Sequence, residues 1–312
     1  MKSTSTATPE RTRPSLVWVA IGMAALVGLF TGLATLWLHL RLDPLVDVRA
    51  YYDAGARLNA GLPLYPADAN PDAAEFYRYP PLLAICFRPL ALLPFPVAAG
   101  IWELLLIGCL VATLWRLGIR NRWTWIAGAA LAPPIAWTMA IGQAQALVTL
   151  LTAVAAPWSL AVAVNVKLFP AFVALWWVGR REWRALLRFL AWIVGLGLLQ
   201  LALEPANSIA FLQQTGLRQV GDVNNLSPYA ESPFLWAVLL TAGILVALRL
   251  APSRWGWAAA VAVSVFATPR LLLYVLSTLL AALADPRRAL PGGPGLSEPT
   301  RQAQPIPGGA DE

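Results

Sequence analysis

The stretch RLDPLVDVRAYYDAGARLNAGLPLYPADANPDAAEFYRYPP, residues 41–81, decides the fold by contrast with its surroundings. It is rich in acidic and tyrosine side chains. Residues 16–40 before it form an apolar run long enough to cross a hydrocarbon core about 30 Å thick. A polar segment mounted directly behind a span sits at the lipid interface with water beside it, where a carboxylate can accept a proton. Asp47 is the carboxylate best placed to do so.

Composition fixes the class. Of 312 residues, 58% are hydrophobic and 12% charged, about half the charged share of a soluble domain. Backbone groups in lipid must be satisfied within helices or closed barrels, and the period-2 alternation of barrel strands is absent. The fold class is therefore an all-α polytopic membrane protein. The net charge of +7 comes from Lys and Arg in short clusters between apolar runs. That is the positive-inside pattern, and no nucleic acid is expected as a partner. Cys86 and Cys109 lie in apolar surroundings and are expected to be buried and unpaired. With His39 the single histidine and no Cys/His cluster, neither a metal nor another cofactor is expected.

The charges then set an expected topology. Lys2, Arg11 and Arg13 place segment 1–14 in the cytoplasm, so the 41–81 loop is outside. Residues 82–96, broken by Pro89 and Pro94, suit a helix lying in the outer interface. Residues 97–115 cross inward to Arg116, Arg120 and Arg122, and 123–141 return, kinked at Pro133 and Pro134. The 142–146 turn leads into another helix. A membrane domain thus covers 15–284, with a second outer loop at 204–232 and a Pro/Gly-rich cytoplasmic tail at 285–312 that is expected to be disordered.

Residues 158–165 and 171–178 are each about half a bilayer long and flank Lys167-Leu168-Phe169-Pro170. Arg180, Arg181, Arg184 and Arg188 follow. A full crossing would put these arginines outside, whereas a re-entrant hairpin keeps them inside with Lys167 at its tip; both readings stand open, the second preferred. Residues 189–203 form the next span, and 233–248 return. The half-length pattern recurs at 255–268 and 271–284 around Pro269-Arg270. Interrupted helices of this kind also line transporter sites. A transporter or lipid flippase is therefore the main competitor to an enzyme, with a non-catalytic scaffold third.

Asp47 precedes a helix at 48–60 closed by Gly61 and Pro63, and it is either the N-cap or a base. Tyr51, one turn on, is placed to orient a sugar or the carboxylate. Asp53 is expected to pair with Arg57, Asp43 to serve the turn before Pro44, and Asp68, Asp72 and Glu75 to be solvated loop residues. Glu103 lies inside a span within reach of Arg88 or Arg116 and has no assigned role. Lys167 and Arg270 are intramembrane cations that either snorkel or bind a phosphate, with Arg78, Arg88 and Arg218 as further outer cations.

DVRAYYDAGARLNAGLPLY (47–65) followed by FYRYPPLLAICFRPLALLP (76–94) resembles the first outer loop and next helix of the family-87 glycosyltransferases, a polyprenyl-phosphate-sugar-dependent, mannosyltransferase-like group of the GT-C superfamily. Gly142-Gln143 resembles that family's Gly-Gln turn, Lys167-Leu168-Phe169-Pro170 its Lys-x-x-Pro element, and Asn225-Leu226-Ser227 an Asn-x-Ser of the later outer loop. Where many members carry Ser-Pro followed by polar and histidine residues, this chain has Thr268-Pro269-Arg270 and then leucines. The resemblance implies a GT-C-like helical bundle with its active site on the outer face. It also implies a polyprenyl-phosphate-linked hexose donor, with mannose favoured, and an envelope glycan or glycolipid acceptor. By the same resemblance Asp47 is the general base, and Tyr51, Tyr52, Gln143, Lys167, Asn225 and Arg270 contact substrate.

Overall fold

The computed structural model describes residues 16–66, 76–214 and 225–289. Segment 1–14, Asp68, Asp72, Glu75, Arg218 and the tail beyond residue 289 lie outside the described residues. The described chain is helical, with no strand among the described residues: α1 (Leu16–Leu42), α2 (Val46–Asn59), α3 (Pro81–Phe87), α4 (Phe95–Leu117), α5 (Arg122–Ala130), α6 (Ala132–Ile141), α7 (Gln145–Val154), α8 (Pro157–Val166), α9 (Leu175–Arg180), α10 (Trp183–Leu203), α11 (Pro205–Gln214), α12 (Pro233–Leu250) and α13 (Gly256–Phe266). Two longer 3₁₀ stretches, Phe169–Ala174 and Leu273–Leu283, complete the bundle.

Helices α1, α4, α10 and α12 are 27, 23, 21 and 18 residues long and apolar enough to cross a membrane. Their lengths are about 27–40 Å at 1.5 Å per residue. Helices α5 and α6 form a further bent pair, at 65°. The bend falls at Leu131, just ahead of Pro133 and Pro134, whose rings remove N–H donors and crowd the preceding turn. The protein is an all-α, multi-pass membrane protein.

Burial divides these helices into a rind and an interior. The apolar stretches of α1, α10 and α12 are only 6–11% buried within the protein, and that of α4 is 33% buried. The short elements are the reverse: Val148 and Thr152 of α7, Leu160 and Ala161 of α8, Val261 of α13 and Leu280 are fully enclosed. Broken backbone at membrane depth is tolerated where protein surrounds it, so the interrupted helices are the inner ones. One break is at Lys167, extended at φ −146° and ψ 130° after α8. The other is at Thr268-Pro269, between α13 and the 3₁₀ run.

Helix α1 lies against the α5–α6 bend at backbone contact. A Cβ on Gly28 would meet Ala129 O at 2.2 Å, and one on Gly32 would meet Ala132 Cβ at 2.6 Å, so two small residues one turn apart set the approach. At one end of the bundle Arg122 covers the Trp18 ring at 4.5 Å, and Arg116 donates to Ala153 O at 2.8 Å and Val154 O at 2.9 Å. This basic end joins the start of α1, the end of α4 and the end of α7.

Three local expectations change. Helix α10 begins at Trp183, not 189, because no Gly or Pro interrupts 183–189; Arg184 and Arg188 therefore belong to its first turns, while Arg180 pairs with Glu182 at 2.5 Å. Cys86 is exposed, because α3 turns Leu83, Ala84 and Phe87 inward; Cys109 is buried, and both thiols are free. Arg57 Nε donates to Pro63 O at 2.7 Å rather than pairing with Asp53.

Candidate active site

The turn after α1 fixes where Asp47 stands. Leu45, following Pro44, takes the left-handed conformation at φ 57°, and its N–H donates to Ala140 O at 3.0 Å, pinning the start of α2 to the end of α6. Helix α2 opens at Val46, so Asp47 lies within the first turn and caps nothing; its expected N-cap role is corrected. Val48, Tyr51, Ala54 and Leu58 repeat at helical spacing and bury one face. Tyr51 meets Phe87 and Trp102 edge-on at 5.4 and 5.9 Å, contacts worth about 0.5–1.5 kcal/mol each beyond area burial.

The partner of Asp47 comes from the turn between α6 and α7. Gly142 ends α6 at φ 67°, and Gln143 N donates back to Thr138 O at 2.9 Å, closing the helix in the manner of a Schellman motif. A Cβ on Gly142 would lie 1.9 Å from Val48 Cγ2 and 2.6 Å from Glu103 Oε1, so the turn fits only with glycine. The buried Gln143 amide then branches three ways: Nε2 donates to Asp47 Oδ2 and to Tyr79 Oη, each at 3.0 Å, and Oε1 accepts from Tyr51 Oη.

Two residues on, Gln145 serves the lysine. Lys167 Nζ donates to Gln145 Oε1 at 2.8 Å and lies 4.8 Å from the Tyr274 ring and 5.3 Å from the Tyr79 ring. Gln145 Nε2 donates to Thr278 Oγ1. Lys167 is 7% exposed. It is held inward by a carbonyl and two aromatic faces, so it does not snorkel.

Electrostatics tie these groups together. Burial pushes the Asp47 carboxyl up to about 6; the Lys167 and Arg78 charges and the Gln143 hydrogen bond oppose the rise, and Asp43 adds to it. At neutral pH Asp47 is therefore ionised yet holds protons more tightly than an ordinary aspartate. Burial, then the nearby Arg270 guanidinium, bring Arg78 below its usual range. Burial and Asp47 push the Tyr79 phenol up to about 12, so it stays a neutral donor. A base of raised proton affinity thus stands among the buried Lys167, the half-buried Arg78 and several phenols, an arrangement suited to accepting a hydroxyl proton while stabilising an anion.

Asp47, Tyr51, Gln143 and Lys167 form one cluster, and Arg270 joins it through Arg78. Tyr52 does not: its hydroxyl donates to Leu93 O at 2.8 Å and its ring meets Phe95, off the cluster face. Asn225 straps backbone, donating to Pro269 O at 2.9 Å and accepting from Leu271 N at 2.8 Å and Ser227 N at 2.9 Å. Asp43 receives the His39 imidazole at 2.8 Å. Neither arginine suggested for Glu103 reaches it: Arg88 pairs with Glu204 at 3.1 Å, Arg116 with carbonyls, and Glu103 Oε1 is buried without a hydrogen-bond partner. Sequence reasoning missed Tyr79, Gln145 and Tyr274; the Gln145 signal was its place two residues beyond Gln143. Among the described residues no three His, Cys, Asp or Glu side chains gather as metal ligands.

The Gly142 carbonyl accepts from Trp102 Nε1 at 2.8 Å. Trp102 and Arg116 are both on α4, so roughly 21 Å of helix separates the cluster from the basic end.

Comparison with known proteins gives a single answer. The family model described as Glycosyltransferase family 87 matches residues 76–290. The chain is 34% identical over 159 residues to a polyprenol-phosphate-mannose-dependent alpha-(1-2)-phosphatidylinositol pentamannoside mannosyltransferase of Mycolicibacterium smegmatis, covering 45% of this chain and 39% of that protein. A protein of the same description from Mycobacterium tuberculosis is 32% identical over 60% of this chain and 47% of its own length. A polyprenol-phosphate-mannose-dependent alpha-(1-2)-phosphatidylinositol mannoside mannosyltransferase of Mycolicibacterium smegmatis is 30% identical over 65% and 53%. The matches thus span about half the length of these relatives or less. No solved structure matches the chain significantly.

Proposed function

Because this chain belongs to glycosyltransferase family 87, we propose that it transfers a hexose, mannose by the description of its relatives, from a polyprenyl-phosphate donor to an envelope glycan or glycolipid. The observation that carries this reading is the half-buried Asp47 held by the buried Gln143 and set near Lys167. Asp47 takes the proton of an acceptor hydroxyl, the freed oxygen forms a bond to the anomeric carbon, and the bond from that carbon to the phosphate oxygen breaks. The electron pair leaves with the polyprenyl phosphate. Lys167 and Arg270 stabilise its charge, and an already anionic leaving group needs no general acid. Tyr51 and Gln143 hold Asp47 in place.

The active site faces the outside. The basic end of the bundle, with Arg116 and Arg122, lies away from Asp47, and Lys and Arg mark the cytoplasmic side of short connections. The outer loops at 41–81 and 204–232 and the cytoplasmic ends belong to the same proposal.

The test is purified protein in liposomes with a synthetic polyprenyl-phosphate mannose and phosphatidylinositol mannosides. Transfer by wild type, lost in Asp47→Asn at equal protein level, is the expected result. Equal transfer by both would remove Asp47 from the chemistry, and no transfer by wild type would refute this donor–acceptor pair.

A further inference from the structure

His39, the only histidine of the chain, sits at the end of α1 in no role the transfer reaction requires. Its Nδ1 lies 2.8 Å from Asp43 Oδ1, and its ring stacks on Trp137 at 4.6 Å and 17°. Trp137 in turn meets Tyr274 edge-on at 5.5 Å, and Tyr274 is the aromatic face beneath Lys167. Asp43 begins the turn into α2: its carbonyl accepts from Val46 N at 3.4 Å, immediately before Asp47. A carboxylate therefore stands behind the base, with an imidazole clamped on it by a hydrogen bond and a stacked indole.

We propose that His39 is a positioning residue which, through Asp43, sets the base strength of Asp47. The proposal rests on Asp47 being the base. Ionised Asp43 is a like charge behind Asp47 and favours its protonated form, the direction in which Asp43 acts on it. The His39 ring hydrogen-bonded to Asp43 offsets part of that field, so Asp43 still raises the proton affinity of Asp47 but by less than it would alone. The other groups facing Asp47 are Lys167, Arg78, Tyr51, Tyr79, Tyr274 and the Gln143 amide, none of which touches His39. Helix α6, packed on His39, brings Trp137 and no ionisable side chain. Arg41 on α1 covers Trp37, and Arg122 of α5 covers Trp18 at the far end.

The experiment follows the carboxyl of Asp47 directly. Infrared titration of full-length protein, with Asp47→Asn subtracted to isolate its band, gives the midpoint in wild type, Asp43→Asn and His39→Gln. Asp43→Asn is expected to lower the midpoint, and His39→Gln, which leaves Asp43 uncompensated, to raise it, each by about half a pH unit or more. The double variant should follow Asp43→Asn. A residue that merely packs would not produce shifts of opposite sign. Any other pattern overturns the proposal, and Asp43→Ser with His39→Asn serves as a second pair if the first fails to accumulate. The role of Asp47 as base is read separately, from loss of transfer in Asp47→Asn, so a failure of either idea is told apart from the other.

Discussion

Lys167 Nζ and Gln145 Oε1 meet at 2.8 Å, two residues along the same strand of turn that delivers Gln143 to Asp47. The proposed base and the buried cation are thus both referenced to the start of α7. Lys167→Met keeps the stem and deletes the charge. Transfer should fall on the order of 10² to 10³-fold, as for loss of one oxyanion donor, with Lys167→Arg recovering only part because a forked guanidinium does not replace a point charge. Turnover within a few-fold of wild type at matched protein level would exclude the leaving-phosphate role.

Asp47→Asn should separate stability from activity. The ionised carboxyl is disfavoured by burial, and the amide mimics its protonated form, so the thermal midpoint should rise at pH 7.5, by the equivalent of about 1–3 kcal/mol. Transfer should fall at least about 10²-fold. A thermal midpoint below that of wild type would mean that the ionised carboxylate contributes more through its partners than burial takes away.

The pH dependences of rate and stability should run in opposite directions. With the folded-state value raised to about 6 from 3.8, the native protein binds the extra proton between those limits. Its stabilising contribution is full below about 3.8 and lost as pH rises through about 6. The rate needs the ionised base and should fall as pH drops through the same value. A rate profile flat from pH 5 to 8 would show that Asp47 does not titrate during turnover.

Gly142→Ala tests the turn. The added methyl meets Val48 and Glu103 and the backbone is left-handed, so Gln143 must move. A loss of transfer of about 10-fold or more is expected from such a misplacement, with insertion unchanged. Tyr52→Phe, which removes only a bond to Leu93 O, should leave turnover at the wild-type level.

Orientation can be read with an impermeant thiol reagent. In a background lacking Cys86 and Cys109, single cysteines replacing the exposed Ala60 and Arg120 should label from opposite faces in intact cells, Ala60→Cys from outside. Labelling of both from one face would refute the proposed sidedness.

Much of this site was legible because the chemistry it needs is rare in an apolar chain. Asp47 and Lys167 stand out as ionisable groups beside or within apolar runs, and Gln143 follows a glycine at a helix junction. Tyr79 and Tyr274 were not legible: they reach the cluster through packing between distant segments, which no local pattern encodes. Tyr52 lies off the cluster for a geometric reason, since consecutive helical residues point about 100° apart and Tyr51, not Tyr52, shares the face of Asp47. The span boundaries were accurate to a few residues where Gly or Pro ended them, and late at α10 where neither did. The cap assigned to Asp47 was displaced by the left-handed turn at Leu45, which starts the helix two residues earlier than the sequence suggests.

The division between exposed long helices and enclosed short ones also bears on biogenesis. Helices α1, α4, α10 and α12 can each partition into lipid alone, but a ten-residue piece such as α7 or α8 cannot satisfy a bilayer by itself. The short pieces must wait for neighbours. Assembly then proceeds from the outside inward, and a weakened contact between a long helix and the short piece it covers, such as α10 on α8 or α4 on α7, leaves a protein that is targeted, inserted and correctly oriented, yet never brings Asp47, Gln143 and Lys167 together.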